Sequence, residues 1–153
     1  MSFTLESPSF PDGGAIPPRH VRDGDNVSPE LRWSGAPDGT QSFVLVVEDP
    51  DAPSGTFRHW ALFDIAATSE RLTEGAANLP VRVGQGVNDF GNAGYDGPRP
   101  PRGHGVHHYH FRLLALDVAT LGIDAPAPIE AILKRAAPHV VAETELVGTF
   151  EAP

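Results

Sequence analysis

The sequence contains no cysteine, which excludes disulfides, thiolate metal sites and a cysteine nucleophile. It also lacks any run of about 18 apolar residues, the length that a membrane-spanning helix requires. The first residues, MSFTLE, have neither the basic nor the apolar region of a signal peptide. These absences predict a protein of the cytoplasm.

Basic residues are scarce, with 11 Lys and Arg against 20 Asp and Glu and a net charge of −9. A surface that binds duplex nucleic acid needs clustered basic side chains to displace counterions, and the sequence lacks such clusters. An anionic bilayer also attracts basic segments and repels an acidic protein. We therefore predict no nucleic-acid partner and no stable membrane association.

Glycine and proline are abundant instead, at 16 residues each. Such a composition is unsuited to a helical bundle and typical of short strands joined by turns. The 153 residues suit a single domain spanning 1–153, because a chain of this length buries about 68–70% of its unfolded surface. The chain shows no repeat, linker or low-complexity tail.

Apolar segments at short spacing predict the strands. Residues 42–48 (SFVLVVE) are apolar on both faces and predict a central strand that is covered on both sides. We expect an ordered loop over 7–25 and, over 69–87, a loop that contains one strand. Further strands are predicted at 57–65, 107–117 and 140–150, and a turn entering a short strand at 26–33.

One segment, 124–137, predicts a helix. Pro126 and Pro128 fall in or near its first turn, where proline is tolerated, and apolar residues recur at helical spacing after them. Pro138 ends the helix. Together these patterns predict one mainly antiparallel β domain with one short helix.

Asp49 and Asp51 flank Pro50 directly after the central strand, and Pro53 closes the run. The prolines make a stiff corner that can hold carboxylates in fixed positions facing a cleft. Taken alone, however, this segment is better explained as an ordinary Asp-Pro turn.

His59 lies in the next predicted strand. Strand alternation places it on one face with Phe57, Ala61 and Phe63. Taken alone, a histidine among apolar residues is better explained as a core residue whose ring nitrogens are hydrogen-bonded.

A loop rich in Gly, Pro, Asn and Asp, residues 88–106, leads straight into the strand that begins at His107. A loop of this length, stiffened by proline, is more often functional than a simple connector. Alternation places His107 and Tyr109 on one face, next to the loop, and His108 and His110 on the other. We assign His108 and His110 no function.

A metal site can be drawn from His104, His107, His108 and His110 together with the two aspartates. We predict none, because alternation points His107 away from His108 and His110. We also predict no cofactor and no enzymatic activity. The sequence contains no nucleophile elbow, phosphate-binding loop, zinc-protease motif or dinucleotide fingerprint.

Residues 43–53 (FVLVVEDPDAP), followed by His59 and Trp60, resemble the first conserved block of the phosphatidylethanolamine-binding protein family. Residues 97–103 (GPRPPRG), continuing to Tyr109, resemble its second block. The resemblance covers residues 28–150, and the end of the chain is similar to the bacterial and archaeal branch, often called Raf kinase inhibitor-like.

The resemblance implies a mainly β fold in which a central antiparallel sheet packs on a smaller sheet, with one short C-terminal helix. It also implies an anion pocket at one end of the central sheet, with phosphate or a phosphoethanolamine-like headgroup as the ligand. The residues that match the family's pocket are Asp49, Asp51, His59, Arg99, Pro100, His107 and Tyr109.

Two further details follow from the resemblance. Relatives often have glycine where this chain has Arg99, whose side chain either adds a cation to the pocket mouth or swings away, while its backbone N–H remains. The family also implies a cis peptide bond before Pro53, which an X-Pro bond adopts at a cost of about 0.5–1 kcal/mol.

Aspartates beside a phosphate are compatible with binding if His59 and His107 are protonated, or if the ligand brings a proton or an ammonium group. In our hypothesis Asp49 or Asp51 orients a histidine, while imidazoles, the Tyr109 hydroxyl and a backbone N–H hold the anion. The second pKa of a phosphate monoester, about 6, is close to the value of about 6.5 for histidine. We therefore expect phosphate affinity to strengthen as the pH falls from 8 to 6.

The alternative is a protein-interaction module that inhibits a kinase or protease partner and for which the pocket is accessory. Analogy of fold is weak support for any particular partner. We also expect a homodimer, since relatives in this branch often form dimers.

Overall fold

The computed structural model describes residues 2–77 and 79–153, so residue 78 of the predicted loop 69–87 lies outside the described residues. The described strands form a six-stranded sheet, in the order β8-β6-β4-β3-β7-β9, and a three-stranded sheet, in the order β1-β2-β5. All pairs are antiparallel except β6 with β8. The strands are β1 (Thr4–Glu6), β2 (Leu31–Ser34), β3 (Ser42–Asp49), β4 (Phe57–Ala66), β5 (Arg71–Leu72), β6 (Gly84–Val87), β7 (His107–Leu116), β8 (Ala127–Pro128) and β9 (Val140–Phe150).

The core has two layers because the central strand β3 is buried on both faces. Between the two sheets, Trp33 of β2 packs against Phe43 of β3, with ring centroids 5.6 Å apart. On the opposite face of the large sheet, α1 (Ile129–Ala136) covers β3 and β4 with Ile129 and Ile132. The predicted mainly β fold of two packed sheets and one short helix is confirmed.

The helix is shorter than predicted. Pro126 and Pro128 precede it instead of lying in its first turn, and Ala127–Pro128 forms β8, parallel to β6. A residue that precedes proline is pushed towards extended conformations, which places this segment on a strand edge. Pro138 lies just after the helix, in a 3₁₀ turn at Ala137–His139.

A β-bulge in β4 corrects the predicted face of His59. Glu48 is paired with Arg58, whereas Val47 is paired with Trp60, so His59 is an extra residue in the strand. A bulge advances the alternation by one position. Trp60 therefore packs between the sheets, and the prediction that Ala61 and Phe63 share a face with His59 is wrong.

The other predicted connections differ in detail. The segment 69–87 contains two short strands, β5 and β6, where one was predicted, and the loop over 7–25 contains a 3₁₀ turn at Pro18–His20. The predicted cis bond before Pro53 is wrong, since the cis X-Pro bond of the described residues is Ala125–Pro126. The small intrinsic preference of an X-Pro bond leaves its isomer to the surrounding structure.

Candidate functional site

A cavity of about 230 Å³ lies where β3 ends and where β4 and β7 begin, next to the loop over residues 88–106. Six of the seven predicted site residues line it: Asp49, His59, Arg99, Pro100, His107 and Tyr109. Its wall is completed by Ala52, Pro53, Ser54, Phe57, Phe90 and Pro101.

Asp51 does not line the cavity. Its carboxylate accepts hydrogen bonds from the backbone N–H of His108, at 2.8 Å, and from the His108 ring at 2.7 Å, on the exposed side of the sheet. The bond with the His108 side chain lowers the pKa of Asp51. The stiff corner at Pro50 therefore separates the two aspartates instead of pointing both into one cleft.

Asp49 occupies the end of β3 with its carboxylate buried. Its Oδ1 accepts a hydrogen bond from the backbone N–H of Asp51 at 2.8 Å, and its Oδ2 lies 2.6 Å from Nδ1 of His107. Because a carboxylate accepts, Nδ1 of His107 donates. This pair fixes the orientation of the His107 ring, as the sequence hypothesis expected of one of the two aspartates.

His104 extends this pair to the surface. Its Nδ1 lies 2.5 Å from Nε2 of His107, and its own side chain is exposed. Gly103 and Gly105, at φ 74° and 85°, allow the loop to turn so that the two rings meet. In the sequence, His104 was a candidate only for a metal site. The flanking glycines, Gly103 and Gly105, were the feature that could have predicted its contact with His107.

His59 is held by the main chain of the loop. Its Nδ1 lies 2.9 Å from the carbonyl oxygen of Asp96. A carbonyl oxygen only accepts, so Nδ1 carries the proton and Nε2 keeps its lone pair. Burial lowers the pKa of His59, which keeps the ring neutral. The rings of Phe57 and Tyr109 enclose it, at centroid distances of 4.9 and 5.3 Å.

Tyr109 lines the cavity and has a buried hydroxyl without a partner among the described residues. The residue is 1% exposed, and its hydroxyl makes no hydrogen bond to any of the described residues. Burial raises the pKa of Tyr109, so the hydroxyl stays protonated and can donate. A buried hydroxyl without a partner is costly, and in a cavity wall it indicates a place where a ligand oxygen fits.

Asp96 anchors the loop, and our sequence reasoning missed it. Its carboxylate accepts hydrogen bonds from the side-chain amides of Asn26, Asn88 and Asn92 at 2.8–2.9 Å and pairs with Arg22. Burial raises its pKa, but the three amide bonds more than offset this and the net pKa is lowered. The many Asn and Asp residues of the loop were the feature of the sequence that could have predicted this hydrogen-bonded cluster.

Arg99 lies at the cavity mouth. Its guanidinium is 3.5 Å from the carboxylate of Asp23, and its side chain is half exposed. The guanidinium thus lies beside an acidic residue that does not line the cavity.

His108 and His110 lie apart from the cavity. His108 pairs with Asp51 and His110 with Glu145, on the face of β7 opposite His107. Within residues 2–77 and 79–153, no three His, Asp or Glu side chains form a group that could hold a metal ion. In the same part of the chain, no helix has the length and apolar character needed to cross a membrane. The compartment stays a prediction.

Known proteins share this fold and much of the sequence. The family model of the phosphatidylethanolamine-binding proteins matches residues 6–151. A UPF0098 protein of Aquifex aeolicus is 42% identical over 147 residues, which cover 95% of this chain and 86% of that protein. The UPF0098 protein YbhB of Escherichia coli is 41% identical over 133 residues, covering 80% of this chain and 84% of YbhB. The crystal structure of Escherichia coli YbcL matches with a TM-score of 0.94 at 33% identity and covers 100% of both chains.

Proposed function

The chain belongs to the phosphatidylethanolamine-binding protein family, and from that premise we propose that it binds a small phosphorylated or otherwise anionic ligand in the described cavity. The family name states binding, and the names of the bacterial relatives give no ligand or partner. The observation that carries the proposal is the buried hydroxyl of Tyr109, a cavity residue, which has no hydrogen-bond partner among the described residues.

The size of the cavity supports a headgroup-sized ligand. Pockets for drug-sized molecules occupy about 300–1,000 Å³, whereas this cavity has about 230 Å³. Phosphate or a phosphoethanolamine-like headgroup fits such a volume better than a lipid with its acyl chains.

We propose that the protein is not an enzyme. Of the described residues that line the cavity, Ser54 alone carries an aliphatic hydroxyl, and it makes no hydrogen bond to an imidazole. Activation of a serine nucleophile requires a base within hydrogen-bond reach. Binding therefore accounts for these side chains more simply than catalysis does.

The test is a thermal-shift screen at pH 6.5 with phosphate, phosphoethanolamine, nucleotides and sulfate. A ligand at 100 times its Kd stabilises the fold by about 2.7 kcal/mol, which raises Tm by roughly 5–10 °C for a protein of this size. Ser54→Trp fills the cavity mouth and should abolish the shift, whereas Ser34→Trp, on the exposed face of β2, should keep it. A protein that responds to none of these anions would contradict the proposal.

We also propose a protein partner or a second copy of this chain on the outer edge of β9. This strand ends the large sheet, and residues 12–16 bond to it only near Val147 and Thr149. Its first half carries the exposed side chains of Val140 and Val141. A sheet edge with exposed apolar side chains is suited to strand addition.

A further inference from the structure

Nε2 of His59, a residue of the cavity wall, carries a lone pair, whereas an anion-binding site is expected to present hydrogen-bond donors. The Asp96 carbonyl 2.9 Å from Nδ1 of His59 fixes the ring proton on Nδ1. That carbonyl cannot move freely, because hydrogen bonds from Asn26, Asn88 and Asn92 hold the Asp96 side chain. Nε2 of the neutral ring is therefore an acceptor.

The charged groups around His59 do not supply the missing proton. From β3, the Asp49 carboxylate adds a negative charge, and from β7, both ring nitrogens of His107 are already bonded, to Asp49 and to His104. Arg22 is paired with Asp96, and the Arg99 guanidinium lies 3.5 Å from the Asp23 carboxylate. Burial lowers the pKa of His59, which opposes a second proton on the ring.

A bound oxyanion would therefore meet two kinds of group: an acceptor, Nε2 of His59, and donors, since Tyr109, Ser54 and Arg99 line the same cavity. The monoanion of a phosphate monoester matches both groups. Its P–OH donates to Nε2, and one of its charged oxygens accepts from Tyr109. Sulfate carries no proton near neutral pH and would place an oxygen against a lone pair.

We propose that this cavity selects phosphoryl ligands that carry a proton, and that His59 is the residue that excludes anions without one. The inference rests on the proposed function of the same cavity and names its ligand as the phosphate monoester monoanion. The second pKa of such an ester is about 6, so the dianion dominates at pH 8 by about 100 to 1. Apparent affinity should then rise about 100-fold from pH 8 to the plateau below pH 6.

Titration calorimetry on the wild-type protein from pH 5.5 to 8 separates a ligand proton from a protein proton. The probes are methyl phosphate, methylphosphonate, dimethyl phosphate and sulfate, none of which carries an ammonium group that could itself donate to Nε2. The affinity for methyl phosphate should rise as the pH falls, and the midpoint for methylphosphonate should lie higher, in step with its higher second pKa. On the plateau below pH 6, dimethyl phosphate and sulfate should bind at least tenfold more weakly than methyl phosphate.

Two results would overturn the inference while leaving anion binding intact. One is a midpoint that is the same for both phosphoryl ligands, with sulfate and dimethyl phosphate binding as the pH falls, because His59 itself would then take up the proton. The other is a ¹⁵N NMR spectrum in which the His59 ring of the methyl phosphate complex carries protons on both nitrogens. Failure of all four probes at all pH values would overturn the proposed function as well.

Substitution of His59 tests whether this residue causes the selectivity. His59→Gln places an amide, which can donate as well as accept, in the position of the ring, and should reduce the preference for methyl phosphate over sulfate at least tenfold. The control is His108→Gln, a change of the same type on the exposed face of β7, which should leave the preference unchanged. An undiminished preference in a folded His59→Gln protein contradicts the role of His59.

Discussion

At the scale of single residues, the buried Tyr109 and the partly buried Tyr95 differ in whether the hydroxyl has a hydrogen-bond partner. The Tyr109 hydroxyl has no partner among the described residues, whereas the Tyr95 hydroxyl donates to the carbonyl of His20 at 2.6 Å. Removal of a hydroxyl has different consequences in the two cases, because only one of them loses a hydrogen bond within the protein.

Tyr109→Phe should weaken binding of a phosphate monoester about tenfold or more, since a hydrogen bond to a charged group contributes about 1.5–3 kcal/mol. Its stability without ligand should stay the same or rise, because an unsatisfied buried hydroxyl is removed. Tyr95→Phe should show the reverse, losing about 1 kcal/mol of unfolding free energy while keeping ligand affinity. Calorimetry and urea unfolding measure the two effects, and equal affinity of the Tyr109 variant would argue against a ligand contact.

His59 also makes stability depend on pH. Its folded pKa is lowered by burial, so it binds fewer protons in the folded state than in the unfolded state as the pH falls. Its stabilising contribution is complete above the unfolded pKa, about 6.5, and decreases as the pH falls below that value. Urea unfolding at pH 7.5 and 5.5 should therefore show a smaller loss of stability for His59→Gln than for wild type. An identical loss would mean that His59 takes no part in it.

The family resemblance implied seven site residues, six of which line the cavity, but it did not identify the side chains that position them. Alternation correctly separated His107 and Tyr109 from His108 and His110, because β7 is regular there. It failed at His59, where a bulge shifts the faces. Bulges arise from the pairing of two strands, which a single strand's sequence does not specify.

At the scale of elements, the loop over residues 88–106 lines the cavity and orients the His59 ring. Its Asp96 carboxylate binds three asparagine amides and Arg22, and its Asp96 carbonyl orients His59. The Arg22 guanidinium also lies 4.7 Å above the ring of Phe90, another cavity residue. One buried carboxylate thus connects both sides of the loop to the site.

Asp96→Asn replaces an acceptor of several hydrogen bonds by a group that accepts fewer, and leaves Arg22 without its counterion. We expect a loss of about 1.5–3 kcal/mol in unfolding free energy, the range for a hydrogen bond to a charged group, together with weaker ligand binding. Asp89→Asn is the matched control, since that exposed carboxylate in the same loop accepts from the backbone of Arg58. Losses of equal size in urea unfolding would show that Asp96 has no special role.

Strand positions were predictable because apolar segments specify them, and β3, β4, β7 and β9 begin and end within about one residue of the predicted ranges. The start of α1 was not predictable, because Pro126 and Pro128 suit both a first helical turn and an extended segment. Pairing of Ala127 with Gly86 selects the extended form, and this contact joins distant parts of the sequence.

At the scale of the whole molecule, β9 lies at the edge of the large sheet, and residues 12–16 bond to it near Val147 and Thr149 but not along its first half. The exposed Val140 and Val141 adjoin this edge, while Glu143 and Glu145 farther along it pair with Arg112 and His110. The Arg112 guanidinium offsets the charge of Glu143, which reduces the repulsion that an approaching strand would meet.

Val141→Lys should therefore shift the protein towards the monomer, because it places a charge on the proposed contact. Val81→Lys, a change of equal size at a fully exposed position away from β9, should not. Light scattering after size exclusion, over a concentration series, measures both. A wild-type protein that is monomeric throughout the series would contradict the homodimer.

The acceptor character of the cavity depends on a main-chain atom. The group that orients His59 is the carbonyl of Asp96, and every amino acid at position 96 would bring a carbonyl of its own. Point substitution there can disturb the path of the loop but cannot delete the hydrogen-bond acceptor. During evolutionary drift, preference for a protonated ligand is therefore robust at the residue that orients the ring and vulnerable chiefly at the ring itself. Related chains that keep the histidine and the path of this loop are expected to keep the preference even where the surrounding side chains have diverged.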